Sequence, residues 1–560
     1  MVVVLLLCAK CFVFDSLIAQ PASIQWELTD YLATIAAAGL IALPVLLTTR
    51  RWPAFAILAI TDIWLIVNII YFRSYRLFIT WHLLSLAGNM GGFGSSIWPY
   101  CTWSLLWIPA LTIPALICFV WESKRIHAAE IISVIVLSVV LSIWGSYERW
   151  NKVKAYLPDD HFSWEWINPC NLPQALSVHV SEKERQATKY IHHHSILAYP
   201  LFMAGDAIRT AKQQGEVEPL TAEEEQELKK LIGPEVPAAA PQGNLLIILL
   251  ESFESWLLDV YDAHNVPVCP ALKNYVETHP VLYVKDVSTQ IRYGMSGDGQ
   301  MIVNTGLYPT LEGVACVDYG HHTYPNLAHF YPQSAIINPC RNVWNKAVIA
   351  SSYGYKGLVE PQSENQFEWN DSVVTDKTIE TLNSLASPSC VLSLTVSGHL
   401  PFNHAYDAID FPDSVPELFR NYMQSAHYTD RHMGRLLAWA DTAQVMKNSV
   451  IVITGDHRIF HAWGSEEIRA YGLRANLPFG TGQAGCPLII AAPQFDSTMV
   501  LEKGQQVDIF STVLPIIGQE DYFWKGMGHD LMKEHSSDET EYFLRQQLSD
   551  KLIRMNYFEK

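Results

Sequence analysis

The chain has 560 residues, 38 Lys and Arg against 56 Asp and Glu, a formal net charge of −18, and only 17% charged residues. A soluble domain carries about 25% charged residues, so part of this chain is built for lipid. The acidic balance excludes a nucleic-acid binder, whose affinity would come from Lys and Arg on phosphates, and also a polybasic membrane-surface protein.

Taken from the N-terminus, apolar runs are dense up to about Trp150 and sparse beyond it. Because about 20 apolar residues cross a bilayer, residues 1–149 are predicted to form a transmembrane region of about five helices. The predicted spans lie near 2–20, 29–49, 54–72, 101–121 and 127–146. Lys10 and Asp15 interrupt the first span, which also lacks the basic start and small-x-small site of a signal peptide. Residues 78–88 are apolar but too short to span, and read as interfacial or re-entrant. Arg50 and Arg51, then Lys124 and Arg125, mark two cytoplasmic loops and put everything after Trp150 outside; Arg73 and Arg76 run against that bias.

Residues 150–243 read as a helical connector and linker. Residues 221–232 (TAEEEQELKKLI) predict a helix, with Thr at its cap, acids in its first turn and Lys near its end. The stretch 234–243 (PEVPAAAPQG) has linker composition. The His192 to His194 run reads as a solvated segment rather than a metal site. None of the ten cysteines forms a CxxC pair, which argues against a zinc ribbon or thioredoxin motif. An oxidising compartment permits disulfides; Cys316 with Cys340 is the pair expected, with buried thiols as the alternative.

A catalytic α/β domain is predicted over 244–540, followed by a tail at 541–560. Continuous apolar runs at 245–250 (LLIILL), 391–396 (VLSLTV), 450–454 (VIVIT) and 487–492 (PLIIAA) fit strands buried on both faces. Strands alternating with helical patterns give a mostly parallel sheet flanked by helices. Residues 281–289 add a strand, and 507–518 a late helix interrupted by Pro515.

Three runs stop at residues with chemistry: Glu251, then Ser397-Gly398-His399, then Gly455-Asp456-His457. In open parallel sheets ligands bind outside the carboxyl ends of the strands. Two acids and imidazoles meeting there make an oxygen–nitrogen metal site. The Gly-rich stretch 292–300 leads into a predicted helix with Ser296 at its N-terminus, where free N–H groups favour a phosphate. A metal-bound hydroxyl there is activated to attack phosphorus.

These residues resemble the lipoteichoic acid synthase family, membrane-anchored phosphoglycerol transferases of the alkaline phosphatase superfamily. The resemblance rests on Glu251-Ser-Phe-Glu-Ser, the turn Gly294-Met-Ser-Gly-Asp298, Asn304-Thr-Gly-Leu-Tyr-Pro309, His322-Thr-Tyr-Pro-Asn-Leu327, Val343-Trp-Asn-Lys346, Gly354-Tyr-Lys356, Ser397-Gly-His-Leu-Pro-Phe402 and Gly455-Asp-His457. It implies one divalent metal, manganese first with magnesium or zinc as alternatives, held by Glu251, Ser296, Asp456 and His457, with Ser296 as nucleophile where the family usually has Thr. His399, Trp344, Lys346, Asn338 and Arg341 would form the substrate pocket. Met295 stands where the family commonly has Lys. Lys346 replaces a usual Arg and so a bidentate clamp. Asn338 falls where a His is expected, with Arg341 as a compensating cation.

The implied enzyme sits in the bacterial cytoplasmic membrane as a multi-pass protein with its catalytic domain outside. It moves a head group from a membrane phospholipid to a glycan or lipid acceptor. The alternatives are a phosphoethanolamine transferase of the same superfamily, for which His461 or His321 and His322 are extra candidate ligands, and a sulfatase or phosphodiesterase. Ser296-Gly-Asp-Gly-Gln lacks the Pro and Arg of a sulfatase motif. A non-catalytic scaffold is disfavoured because the putting together of Glu251, Ser296, Asp456 and His457 is intact.

Overall fold

The computed structural model describes residues 2–18, 31–46, 52–75, 78–80, 100–113, 128–153, 191, 195–213, 217–234, 239–292, 294–311, 313–341, 346–362, 369–399, 402, 409–412, 414–459, 472, 474, 477, 485–533 and 539–559. The chain divides into two compact units, one formed by Met1–Ser85 with Ile97–Glu216, the other including Val217–Lys560.

The first unit is helical: α1 (Val2–Ile18), α2 (Leu32–Leu46), α3 (Trp52–Tyr75), α4 (Ala128–Val153) and α5 (Tyr199–Gln213). Among the described residues, Trp52–Arg73 and Ile131–Glu148 are long and apolar enough to cross a membrane, and Leu32–Val45 is apolar but shorter. Helix α1 has 17 residues. Of the fourth predicted span, Trp103–Leu106 and Trp107–Ala110 are short helical turns, and 114–127 lie outside the described residues. Helix α4 exposes Ile132, Val136, Leu137, Val139, Val140 and Trp144, an apolar surface that suits lipid contact. Helices α2 and α4 cross closely because residue 145 is Gly: a Cβ there would lie 2.4 Å from the Ala33 backbone nitrogen. Small residues permit such close approach in apolar surroundings.

Lys10 does not break α1. It is fully buried and ion-paired with Asp62 of α3. Its ammonium also donates to the Ile108 carbonyl at 2.7 Å and the Thr112 hydroxyl at 2.8 Å, while Thr112 donates to Asp62 at 2.7 Å. A buried charge persists when its partner and remaining hydrogen bonds are all supplied.

The second unit is built on one eight-stranded sheet of β1 (Leu245–Leu250), β2 (Val281–Ser288), β3 (Gln333–Ile337), β4 (Gly357–Val359), β5 (Ser389–Leu394), β6 (Val450–Gly455), β7 (Cys486–Ala491) and β8 (Met499–Gln505). Their order is β4-β3-β5-β1-β6-β7-β2-β8. Every residue of β1, β5 and β6 is buried, as continuous apolar runs require of central strands covered on both faces. Strand β1 is parallel to β5 and β6. Strand β7 is antiparallel to both β6 and β2, so β2 regains the direction of β1. The sheet is therefore mostly parallel, and β1, β2, β5 and β6 all end at one edge.

Helices flank the sheet: α6 (Ala222–Leu231), α7 (Pro270–Thr278), α8 (Ser296–Thr305), α9 (Asp371–Ser384), α10 (Glu417–Thr442), α11 (Asp508–Ile516) and α12 (Glu539–Arg554). Thr221 and Glu224 close a reciprocal capping box on α6, at 3.2 and 2.7 Å. Pro515 sits in the last turn of α11, where it has no N–H to donate to the preceding turn. The expected tail contains α12. Cys316 and Cys340 are thiols rather than a disulfide: Cys316 lies on the short helix Ala315–Asp318 and Cys340 just past β3. Sequence spacing alone does not bring two Cβ vectors into bridging geometry.

Candidate functional site

The site forms because strand ends deliver their next residues to one edge. Leu250 of β1 pairs in register with Gly455 of β6, so Glu251 and Asp456 leave the sheet side by side. The Asp456 amide donates to the Leu250 carbonyl at 3.0 Å, and the Glu251 amide to the Thr395 hydroxyl at 2.8 Å. After β2, a turn at 294–295 leads into α8, whose first residue is Ser296.

Ligand atoms of Glu251, Asp456 and His457 all lie within 4.8 Å of one another. His457 Nε2 is 3.6 Å from Glu251 Oε1 and 3.7 Å from Asp456 Oδ2. Ser296 Oγ lies 3.2 Å from His457 Nε2 and donates to Glu251 Oε2 at 3.4 Å. Asp456 Oδ1 accepts from the Ser252 amide at 2.9 Å, and the Ser252 hydroxyl donates to Glu251 Oε1 at 2.8 Å. His457 Nδ1 faces the Arg458 carbonyl at 2.9 Å, which leaves Nε2 aimed at the cluster.

Burial pushes Asp456 up to about 6, and the Glu251 charge adds to the rise. Burial works against a charge on His457, but Asp456 and Glu251 outweigh it and raise its pKa. Two crowded carboxylates, an imidazole nitrogen and a hydroxyl are a donor set that fits one divalent cation of intermediate hardness.

The turn before Ser296 is held under strain. Met295 has φ 45° and ψ −121°, a conformation rare for a residue with a side chain. Asp298 anchors it, accepting from the amides of Arg292 at 2.7 Å and Gly294 at 2.9 Å. Burial pushes the Asp298 carboxyl up to about 6. The N–H groups of Gly297 and Asp298 donate to the Gly294 carbonyl, at 2.7 and 3.3 Å, so this end of α8 is less open to an anion than the sequence suggests.

Around the cluster, Glu254 is fully buried, with donors from the Trp256 indole and, at 3.0 Å, the Ile459 amide; burial pushes it up to about 7. Asp371 accepts from the Val396 amide at 2.8 Å, the Ser397 amide at 3.1 Å and the Thr429 hydroxyl at 2.6 Å, and so fixes the turn carrying His399. Glu254 and Asp298 lie inside the motifs that carry the resemblance and Arg292 opens the Gly-rich stretch, but their roles, like that of Asp371, were not legible in the sequence because many of their partners are backbone groups brought in by folding.

The remaining expected residues divide. His399 is half-buried in the turn after β5, on the same edge. Asn338 is buried at the end of β3, its side-chain amide spent on the Cys340 carbonyl. The Arg341 guanidinium donates to the Gln362 carbonyl. Lys346 opens the helix Lys346–Ser352, while Trp344, His461 and His192 to His194 lie outside the described residues. His322 Nδ1 contacts the Ile553 carbonyl at 2.8 Å, a structural role.

The model of the lipoteichoic acid synthase N-terminal domain matches residues 1–150, and the sulfatase model matches residues 243–519. Lipoteichoic acid synthase 1 of Bacillus subtilis (strain 168) is 23% identical over 510 residues, covering 85% of this chain and 74% of that protein. Lipoteichoic acid synthase 2 of the same organism is 24% identical over 317 residues, covering 52% of this chain and 48% of that protein, so this alignment spans about half of the relative's length. Among solved structures, the lipooligosaccharide phosphoethanolamine transferase A (EptA) from Neisseria meningitidis has a TM-score of 0.56 at 13% identity, covering 93% of this chain and 96% of that one; this is a likeness of fold. With both family models matched in order along the chain, it is a lipoteichoic acid synthase-like member of the alkaline phosphatase/sulfatase superfamily.

Proposed function

We propose that the chain is a membrane-anchored transferase that moves a phosphoglycerol head group from a phospholipid to a glycan or lipid acceptor through a covalent intermediate on Ser296, with its catalytic domain outside the bacterial cytoplasmic membrane. One observation carries the reading: a single hydroxyl, at the start of α8, lies within 3.4 Å of both Glu251 and His457 at the strand-end edge. The ordered match to lipoteichoic acid synthases supports the phosphoglycerol head group.

Glu251, Ser296, Asp456 and His457 would hold one divalent cation, manganese first. Bound there, such a cation lowers the pKa of a hydroxyl and offsets charge on phosphoryl oxygens. Ser296 Oγ attacks phosphorus; the new O–P bond forms as the bond to the diacylglycerol oxygen breaks, and that oxygen takes up the proton that Ser296 loses. His399 orients a phosphoryl oxygen from the neighbouring strand end. An acceptor hydroxyl then displaces Ser296 and restores it.

The test is intact-protein mass spectrometry after incubating the full chain with manganese and phosphatidylglycerol vesicles. A phosphoglycerol adduct on Ser296 and released diacylglycerol are expected, and Ser296→Ala abolishes both while the protein still folds. Turnover retained in Ser296→Ala removes this nucleophile, and a phosphoethanolamine adduct formed from mixed vesicles reassigns the head group.

A further inference from the structure

Helix α12 lies beyond the residues that either family model matches, yet one of its faces grips the segment that carries Ser296. Gln546, Ser549 and Asp550 are spaced i, i+3 and i+4, which puts them on one stripe of a helix. Gln546 Oε1 accepts from the buried Arg292 guanidinium at 2.5 Å. The Ser549 hydroxyl donates to the Tyr308 carbonyl at 2.7 Å, and Asp550 Oδ1 accepts from the Leu311 amide at 2.8 Å. Arg292 also reaches the Leu311 carbonyl at 3.4 Å. The three contacts thus fall on both ends of the segment, before the strained turn and after α8.

The other side of α12 is anchored as well. Arg545 pairs with Glu227 at 2.8 Å and Lys551 with Glu224 at 2.7 Å, both acids belonging to α6. A turn with Met295 at φ 45° persists only where its surroundings over-determine it. Asp298 ties the turn from inside; Arg292, whose backbone amide Asp298 holds, is tied from outside by Gln546.

We infer that α12 is a brace for the nucleophile turn, with Gln546 as a positioning residue that sets where Ser296 stands relative to Glu251 and His457. The inference rests on Ser296 being the nucleophile. An error of about 1 Å in a reacting atom costs up to about 100-fold in rate, so a side chain that never touches substrate can govern the transfer step.

The experiment compares full-length wild type, Gln546→Ala, Ser549→Ala and Gln546→Glu. It reads steady-state transfer from phosphatidylglycerol, the thermal midpoint with and without manganese, and backbone hydrogen exchange over 292–311. Gln546→Ala is expected to lower kcat about tenfold with KM changed less than about twofold, and to speed exchange across 292–299. Ser549→Ala has a smaller effect in the same direction. Gln546→Glu, which still accepts from Arg292, recovers most of the lost rate and protection. A merely structural role would lower the midpoint of Gln546→Ala and leave kcat of the folded protein alone. Unchanged exchange at 292–299 in Gln546→Ala overturns the brace whatever the activity, as does an unchanged kcat in an active enzyme. A wild type that forms no Ser296 adduct overturns the nucleophile reading instead, and the exchange result still decides the brace.

Discussion

Gly299 sets how closely α8 approaches the end of β6. A Cβ there would lie 2.4 Å from the Asp456 carbonyl oxygen, which is backbone and has little room to yield. Gly299→Ala therefore pushes α8 outward and draws Ser296 away from Glu251 and His457. The expected result is a stability loss of about 1–3 kcal/mol and a fall in transfer of about 100-fold, read by thermal unfolding and diacylglycerol release. Wild-type values for both would remove the steric argument. The same local view explains what the sequence made legible. Glu251, His399, Asp456 and His457 each end a continuous apolar run, and Ser296 sits in a conspicuous glycine-rich turn. Lys10 was legible only as an interruption, since its partner Asp62 lies on another helix.

Helix α10 carries two groups whose titrations oppose each other. The buried Asp430 accepts from the amides of Ala271 at 2.7 Å and Leu272 at 2.8 Å, at the start of α7, and burial raises its pKa from 3.8 to about 6. Its contribution to stability is full below about 3.8 and is lost as pH rises through about 6. Burial, helped by Arg435 and Arg431, lowers His432 to about 4. That contribution is present above about 6.5 and is lost as pH falls through about 4. Among the described residues, His432 has no hydrogen-bond partner on either ring nitrogen. Thermal midpoints between pH 4 and 7 should therefore rise with pH more steeply in Asp430→Asn than in wild type, and less steeply in His432→Phe. The reverse order would show that these groups face a different environment. Strands were unevenly legible for a related reason. β1, β5 and β6 lie in the sheet interior and read as unbroken apolar runs, whereas β3 and β4 are short and β8 is an edge strand with mostly exposed or half-buried residues. α12 escaped notice because polar contacts on its flanks hide a simple apolar stripe.

Each unit makes its own claim on stability. In the first, removing only Asp62 leaves Lys10 charged and unpaired; Asp62→Leu should cost about 3–5 kcal/mol. The double variant Lys10→Met with Asp62→Leu should recover most of that, as judged by thermal unfolding in detergent. A double variant no better than the single one would show that the pair has a role besides mutual compensation. In the second unit, chelation with EDTA should abolish transfer and lower the thermal midpoint, and manganese should restore both; a ligand at 100 times its Kd stabilises by about 2.7 kcal/mol. Asp456→Asn should erase that shift, and a chelator-insensitive midpoint and rate would remove the cation from the site.

The reversed direction of β7 also dictates when the parts can meet during synthesis. Among the described residues, strand β2 pairs with β7 and β8, whereas β1 gains β5 and β6 as neighbours. A ribosome that has released residues up to 457 has made both acids and the imidazole, but β2 still has no strand to lean on. The strand that leads to Ser296 is thus completed by neighbours, at 486–491 and 499–505, that leave the ribosome after Glu251, Asp456 and His457.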